Sequence, residues 1–228
     1  MSTLIFIHGS GCTSGAFAAQ SKAFDNSHAP NLPGHGCPGN ARTVTEFGDF
    51  IESYLEQHDV RDAVLCGNSL GGAIALDVGL RTNKRVRALI ALGAGSRLKV
   101  AASILLGLRS EFDATIRKLA ALMFAGPMPE AELTLIESMQ LVGQVQTLRD
   151  FEACNAFDVT ERLPQLLVPL LALTGERDAM TPPKYAQFLA SRVPAGQVRI
   201  VPGAGHLAMI ERPAETNDAI ANFVQELN

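Results

Sequence analysis

The 228-residue sequence predicts an α/β fold, with a mostly parallel sheet of about six strands flanked by helices. Three observations carry this reading. Short apolar runs alternate with helical patterns, glycine-rich or polar turns close those runs, and one long stretch with no strand in it interrupts the alternation. The runs at 4–7, 63–66, 88–92, 170–173 and 198–201 have the length and flanks of strands. Between them, segments 44–57, 70–80, 184–192 and 214–226 read as helices. Thr43 stands three residues ahead of Glu46, a capping-box pattern, and Pro182, Pro183 and Pro213 stand where helix starts accept proline. Parallel neighbours need a crossover connection, which these helices supply.

From 96 to 164 only helical stretches follow one another, at 100–108, 112–124, 130–141 and 145–153, broken at Gly126-Pro127-Met128-Pro129. An all-helical block between two sheet strands must sit outside the sheet. In open α/β sheets the loops at the strand carboxyl ends surround the ligand, so this block reads as a lid. The expected organisation is a core of 1–95 and 165–228 with a helical cap at 96–164. A chain with 47% hydrophobic and 18% charged residues has enough apolar side chain for one large core. Its net charge of -4 and lack of any Lys/Arg run give it no electrostatic claim on nucleic acid. The N-terminus has no basic region ahead of its short apolar run, which predicts neither a signal peptide nor a membrane anchor and points to a cytoplasmic, soluble protein. Cys12, Cys37, Cys66 and Cys154 are widely spaced with no CxxC pair, the pattern of ordinary reduced thiols.

The sharpest chemical signal is Gly67-Asn68-Ser69-Leu70-Gly71, set after one apolar run and before one helix. A GxSxG pattern there places the serine on a very tight strand-to-helix turn, where flanking side chains would clash, and exposes its Oγ beside the helix N-terminus. A serine hydroxyl needs a histidine base, itself oriented by a carboxylate. Both lie downstream at run ends: Asp178 in Thr174-Gly175-Glu176-Arg177-Asp178, and His206 in Pro202-Gly203-Ala204-Gly205-His206. Glu176 is the near competitor for Asp178. His28, His35 and His58 do not follow a late strand, and His58 ends a surface helix, where a cation suits the helix terminus. Asp150 and Asp158 fall in the helical block and are expected to face solvent or cap helices. At the start of the chain, 5–7 leads into His8-Gly9-Ser10-Gly11, and the backbone N–H of Ser10 is expected to complete an oxyanion hole with that of Leu70. His8 reads as structural, its ring holding the loop. Asn31 to Gly36 has the composition of a turn cluster.

Together these segments resemble the α/β-hydrolase superfamily: His8-Gly9-Ser10-Gly11, Leu32-Pro33-Gly34-His35-Gly36, Gly67-Asn68-Ser69-Leu70-Gly71, Gly175-Glu176-Arg177-Asp178 and Gly205-His206. The resemblance implies a Ser69 nucleophile, a His206 base, an Asp178 orienter and oxyanion donors at Ser10 and Leu70. It also implies a cap inserted after the sixth of the usual eight strands. This chain starts directly at the strand before the oxyanion loop, so the first two strands of the family are expected to be missing. Small plant-type esterases and hydroxynitrile lyases look similar in this respect. The lyases typically carry a lysine after the catalytic histidine, where this chain has Leu207, which argues against cyanohydrin chemistry.

The expected activity is hydrolysis of a small or medium carboxylic ester through an acyl-enzyme, without metal or organic cofactor. Lactone or enol-lactone hydrolysis and perhydrolysis use the same triad, and a low-turnover small-molecule receptor uses the same fold. The expected partner is a small-molecule ester or lactone. Met123, Met128, Met139, Met180 and Met209 fall in the lid or just after Asp178 and His206, where they fit either a tolerant pocket or core packing. Arg97, Arg109, Arg117, Lys118 and Arg149 read as solvated helix faces or as readers of an acidic substrate. On this reading, removing the lid changes chain-length preference more than it changes hydrolysis of a minimal acetate ester.

Overall fold

A computed structural model describes residues 2–227. Six strands form one sheet: β1 (Thr3–Ile7), β2 (Ser27–His28), β3 (Ala63–Asn68), β4 (Val86–Leu92), β5 (Leu170–Gly175) and β6 (Gly196–Val201). Their order is β2-β1-β3-β4-β5-β6, and every neighbouring pair is parallel. This is the α/β-hydrolase fold expected from the sequence. Because all strands run the same way, the loops leaving β1, β3, β5 and β6 emerge at one edge of the sheet. Register aligns them closely, with Ile7 beside Gly67, Asn68 beside Leu92, and Gly175 beside Val201.

The helices are α1 (Ala18–Ala23), α2 (Val44–Gln57), α3 (Leu70–Gly79), α4 (Ala102–Ser110), α5 (Phe112–Met123), α6 (Pro129–Val142), α7 (Gln144–Ala156), α8 (Pro183–Arg192), α9 (Ala208–Glu211) and α10 (Pro213–Glu226). Helix α2 turns Val44, Phe47, Ile51 and Leu55 inward at helical spacing, each large side chain removing enough apolar surface from water for about 1.5–3 kcal/mol. Its start is capped by Thr43 Oγ1, which accepts the Glu46 N–H at 3.1 Å. The reciprocal arm differs from the expected box: Glu46 Oε2 accepts the N–H of Arg42, one residue earlier, at 2.6 Å. Helix α3 is buried along its whole length, and its sequence is apolar except for Asp77, whose Oδ2 accepts Arg81 Nε at 3.0 Å.

Two apolar clusters fill the two faces of the sheet. One joins α2, α3 and α8 to β1, β3 and β4 through residues such as Ile5, Phe47, Ile74, Leu89 and Leu189. The other joins the opposite face to α10 and the insert, through Phe6, Phe17, Ile90, Leu119 and Phe223. Helices α4 to α7 lie between β4 and β5 in the chain, the stretch in which the sequence predicted no strand. Strand β2 and helices α1 and α9 were not anticipated. They have two, six and four residues, too short for periodicity to register.

Candidate active site

Ser69 stands between β3 and α3 with φ 54° and ψ -112°, a conformation that side-chain-bearing residues rarely adopt. The turn is tight enough to dictate its neighbours. A Cβ on Gly67 would lie 2.0 Å from the Gly71 carbonyl oxygen, and one on Gly71 would lie 2.0 Å from that of Ile7. The Ser69 N–H donates to Leu92 O at 2.9 Å, fastening the turn to β4. Leu70 opens α3, so its N–H is one of the amides a helix leaves without an internal partner.

The His206 ring meets Asp178, Nδ1 lying 2.9 Å from Oδ2. Asp178 is fixed from its other side, Oδ1 accepting the N–H groups of Met180 at 2.9 Å and Thr181 at 2.8 Å. Thr181 Oγ1 also donates to Oδ2 at 2.8 Å. Burial opposes the charge on this carboxyl, but His206 and Thr181 outweigh it and hold its pKa below the ordinary 3.8. Glu176 does not compete: it is exposed, and its Oε2 accepts the Gly203 N–H at 2.9 Å. The His206 loop is held by the Asn68 amide, which donates to His206 O at 3.2 Å, and by Met123 O at the end of α5, which accepts the His206 N–H at 2.9 Å.

Ser69, His206, Ser10 and Asn68 line one cavity of about 50 Å³, closed by Cys12, Val100, Met123, Phe151, Met180, Tyr185 and Leu207 among others. Among the described residues no hydrogen bond joins Ser69 Oγ to the His206 ring. Met123 and Met180 are the two methionines of this wall, whereas Met139 is core, fully buried in the insert. Cys12 and Cys154 also line the cavity, but burial first, and then the Asp150 charge, push Cys12 up to about 12, and burial does the same for Cys154. Both stay as thiols. A larger cavity of about 500 Å³ lies beyond Tyr185, between Arg97, Asp158, Arg162 and Phe188, and neither Ser69 nor His206 reaches it.

His8 and His35 behave differently from each other. His8 is fully buried, its Nδ1 donating to Gly9 O at 3.0 Å and its Nε2 accepting the Leu32 N–H at 3.0 Å. This pattern requires the neutral ring, and burial together with the nearby His35 lowers its pKa to about 3. The structural reading of His8 therefore holds. His35 donates through Nδ1 to Pro33 O at 3.1 Å and through Nε2 to Asp150 Oδ2 at 2.8 Å, so both ring nitrogens carry protons. Burial opposes that charge, but Asp150 and the carbonyls of Pro33 and Leu32 outweigh it and raise the pKa above 6.5.

Asp150 is the correction to the sequence reading. Expected on a solvated face or at a helix cap, it is completely buried on α7. Its Oδ2 also accepts the Gly11 N–H at 2.9 Å, and its Oδ1 accepts Gln146 Nε2 at 3.0 Å. Asp158 is exposed, its Oδ1 accepting the Thr160 N–H at 3.0 Å. Of the insert's cations, Arg109 is paired with Glu152 on the surface, and Arg97 lines the larger cavity. Among the described residues no group of three or more His, Cys, Asp or Glu side chains could hold a metal ion, and no helix is long and apolar enough to cross a membrane.

Comparison with known proteins agrees with this fold. The sequence model of the alpha/beta hydrolase family matches residues 4–219. The pimeloyl-[acyl-carrier protein] methyl ester esterase of Yersinia enterocolitica is 25% identical over 249 residues, spanning 99% of this chain and 94% of its own length. A solved structure of a thermophilic esterase superposes with a TM-score of 0.87 at 29% identity, covering 100% of this chain and 91% of that one. The enol-lactonase from Burkholderia xenovorans LB400 shares the fold, with a TM-score of 0.86 at 20% identity over 98% of this chain and 91% of its own.

Proposed function

This chain belongs to the alpha/beta hydrolase family, and from that premise we propose that it is a serine hydrolase cleaving a small or medium carboxylic ester through Ser69, His206 and Asp178. The observation that carries the reading is the single cavity lined by Ser69, His206 and Ser10, with Asp178 bound to the far side of the His206 ring. Asp178 takes Nδ1–H, which leaves Nε2 as the lone-pair nitrogen. As the ester carbonyl approaches, Ser69 Oγ attacks it and Nε2 accepts the hydroxyl proton. The backbone N–H groups of Ser10 and Leu70 receive the negative oxygen of the tetrahedral intermediate. His206 then returns the proton to the departing alcohol, and water repeats the sequence on the acyl-enzyme to release the acid. In this reading 96–164 is the cap over a core of 1–95 and 165–228. Two features favour an ester with a small acyl group: the cavity measures about 50 Å³, and Met123, Phe151 and Leu207 make its wall apolar. The esterase names among its relatives agree with this chemistry.

Steady-state hydrolysis of p-nitrophenyl esters from acetate to laurate, beside a small lactone panel and a Ser69→Ala blank, tests the reading. Sustained turnover peaking at a short acyl group is expected. A burst that stalls at one product per protein would replace the enzyme with a receptor, and turnover confined to the lactones would replace the esterase with a lactonase.

A further inference from the structure

We propose that Asp150 on α7 and Ser138 on α6 are positioning residues that clamp Gly11 and thereby set the Ser10 N–H for oxyanion binding, so that the oxyanion hole is complete only when the insert is docked. The inference rests on the serine-hydrolase reading above. Its basis is the way the Gly11 peptide groups are distributed. The Gly11 N–H donates to Asp150 Oδ2 at 2.9 Å, and the Gly11 carbonyl accepts Ser138 Oγ at 3.1 Å. Both backbone polar groups of the residue that follows the oxyanion donor are therefore satisfied by the insert rather than by the core. The helices also press on this residue: a Cβ on Gly11, whose φ is +65°, would lie 2.8 Å from Met139 Cγ and 3.3 Å from Thr147 Cγ2. Ser10 itself has its Oγ 3.6 Å from Cys154 Sγ of α7. Its N–H has no partner among the described residues, which leaves that donor free for a ligand.

Asp150 is suited to the task because it cannot turn. It is fully buried, and three donors fix it: the Gly11 N–H, His35 Nε2 and Gln146 Nε2. Gln146 is anchored in turn by donating to Ala41 O at 3.0 Å, and His35 by donating to Pro33 O. The clamp thus ties together the insert, the oxyanion loop and the 32–36 loop. Displacing a reacting group or donor by about 1 Å costs on the order of 100-fold in rate, so a clamp on the adjacent peptide reaches the chemistry without touching substrate.

The test uses the full chain with Asp150→Asn and Ser138→Ala, singly and together. Gly11 N–H and His35 Nε2 share Oδ2 while Gln146 Nε2 sits on Oδ1, so the NH2 of an amide must face a donor whichever way it turns, and the clamp loosens. For p-nitrophenyl acetate, Asp150→Asn is expected to lower kcat at least tenfold with KM within about twofold, and to weaken a boronic acid that mimics the tetrahedral intermediate by a similar factor. Ser138→Ala should lose a smaller factor of roughly threefold, and the double variant less than the product of the two. Ser138 is only partly buried, so its variant remains informative if Asp150→Asn fails to fold. Folded variants with wild-type kcat and wild-type boronate affinity overturn the proposal, even if their Tm has fallen. Should the wild type hydrolyse no ester, the esterase reading fails separately. The clamp is then read from the rate of Ser69 phosphonylation by a fluorophosphonate and from the amide resonances of Ser10 and Gly11. Unchanged values in the variants overturn it there as well.

Discussion

Among the described residues, two buried histidine–carboxylate pairs have nearly equal length, His206–Asp178 at 2.9 Å and His35–Asp150 at 2.8 Å. Distance alone does not tell them apart; the second ring nitrogen does. In His206 only Nδ1 is engaged among the described residues, by Asp178 and Thr181, and the ring lines the cavity that holds Ser69. In His35 the second nitrogen is spent on Pro33 O, and the ring packs against His8 and Phe47. One imidazole has a nitrogen to offer a substrate. The other is a cationic link between two loops and a helix. A histidine–aspartate contact therefore signals a general base only when one ring nitrogen is left facing open space.

The largest effect that separates the two pairs should come from Asp178→Asn. It preserves shape but stabilises the wrong tautomer of His206, so kcat for any accepted ester is expected to fall by about 10⁴-fold. Near-normal turnover would remove Asp178 from the chemistry. Next in size is replacement of 96–164 by a short linker. Sequence alone suggested that this would alter acyl-length preference and spare a minimal acetate ester. The bonds from Asp150, Ser138 and Met123 to Gly11 and His206 reverse that expectation. Acetate hydrolysis should fall at least about 100-fold in a truncated protein that keeps its circular dichroism, since both the oxyanion loop and the base lose their supports. Wild-type acetate turnover in that protein would return the insert to the role of a simple cover.

The smallest effects concern stability against pH, where the pairs again diverge. His35 has a raised pKa, so its contribution is complete below the unfolded value of 6.5 and is lost as pH rises through the folded one. The titratable groups around that pair are His8, whose ring centroid lies 4.8 Å away, and the Cys12 and Cys154 thiols beside Asp150. His8 is depressed to about 3, so the unfolded chain takes up its proton first and stability falls as pH drops from 6.5 toward that value. Asp178, also depressed, adds to the acid-side loss below 3.8. Urea unfolding across about pH 5 to 9 should show both limbs, and His35→Gln should flatten the alkaline limb while leaving the acid limb in place. An alkaline limb that persists in His35→Gln would assign it to another group.

The contrast between the pairs also marks what the sequence made legible. Ser69, Asp178 and His206 each follow a strand, in glycine-bearing loops whose spacing is dictated by the tight turns they occupy, and a single chain displays such spacing. The sheet was legible for the same reason, strands β1, β3, β4, β5 and β6 being apolar runs with turns at their ends. Asp150 carries no such mark. Its partners His35 and Gly11 lie 115 and 139 residues away, and in Leu148-Arg149-Asp150-Phe151-Glu152 it looks like any acid on a charged helix face. Only the docking of α7 over the oxyanion loop gives it meaning. The signal within reach was His35 itself, a histidine in a glycine-rich loop with no catalytic position to fill and therefore in need of a buried partner.

The division between the two pairs is tested most directly by the rate at which Ser69 is acylated, measured from the p-nitrophenolate burst in His206→Ala and His35→Gln alongside their thermal unfolding. His206→Ala is expected to lose acylation by at least about 10⁴-fold, as for a general base, although it too breaks a buried pair and lowers Tm. His35→Gln should retain acylation within roughly tenfold of wild type while unfolding at a lower temperature, since a broken buried pair costs about 3–5 kcal/mol. Equal losses of acylation in the two variants, or a greater loss in His35→Gln, would contradict the assignment of chemistry to His206 and of support to His35.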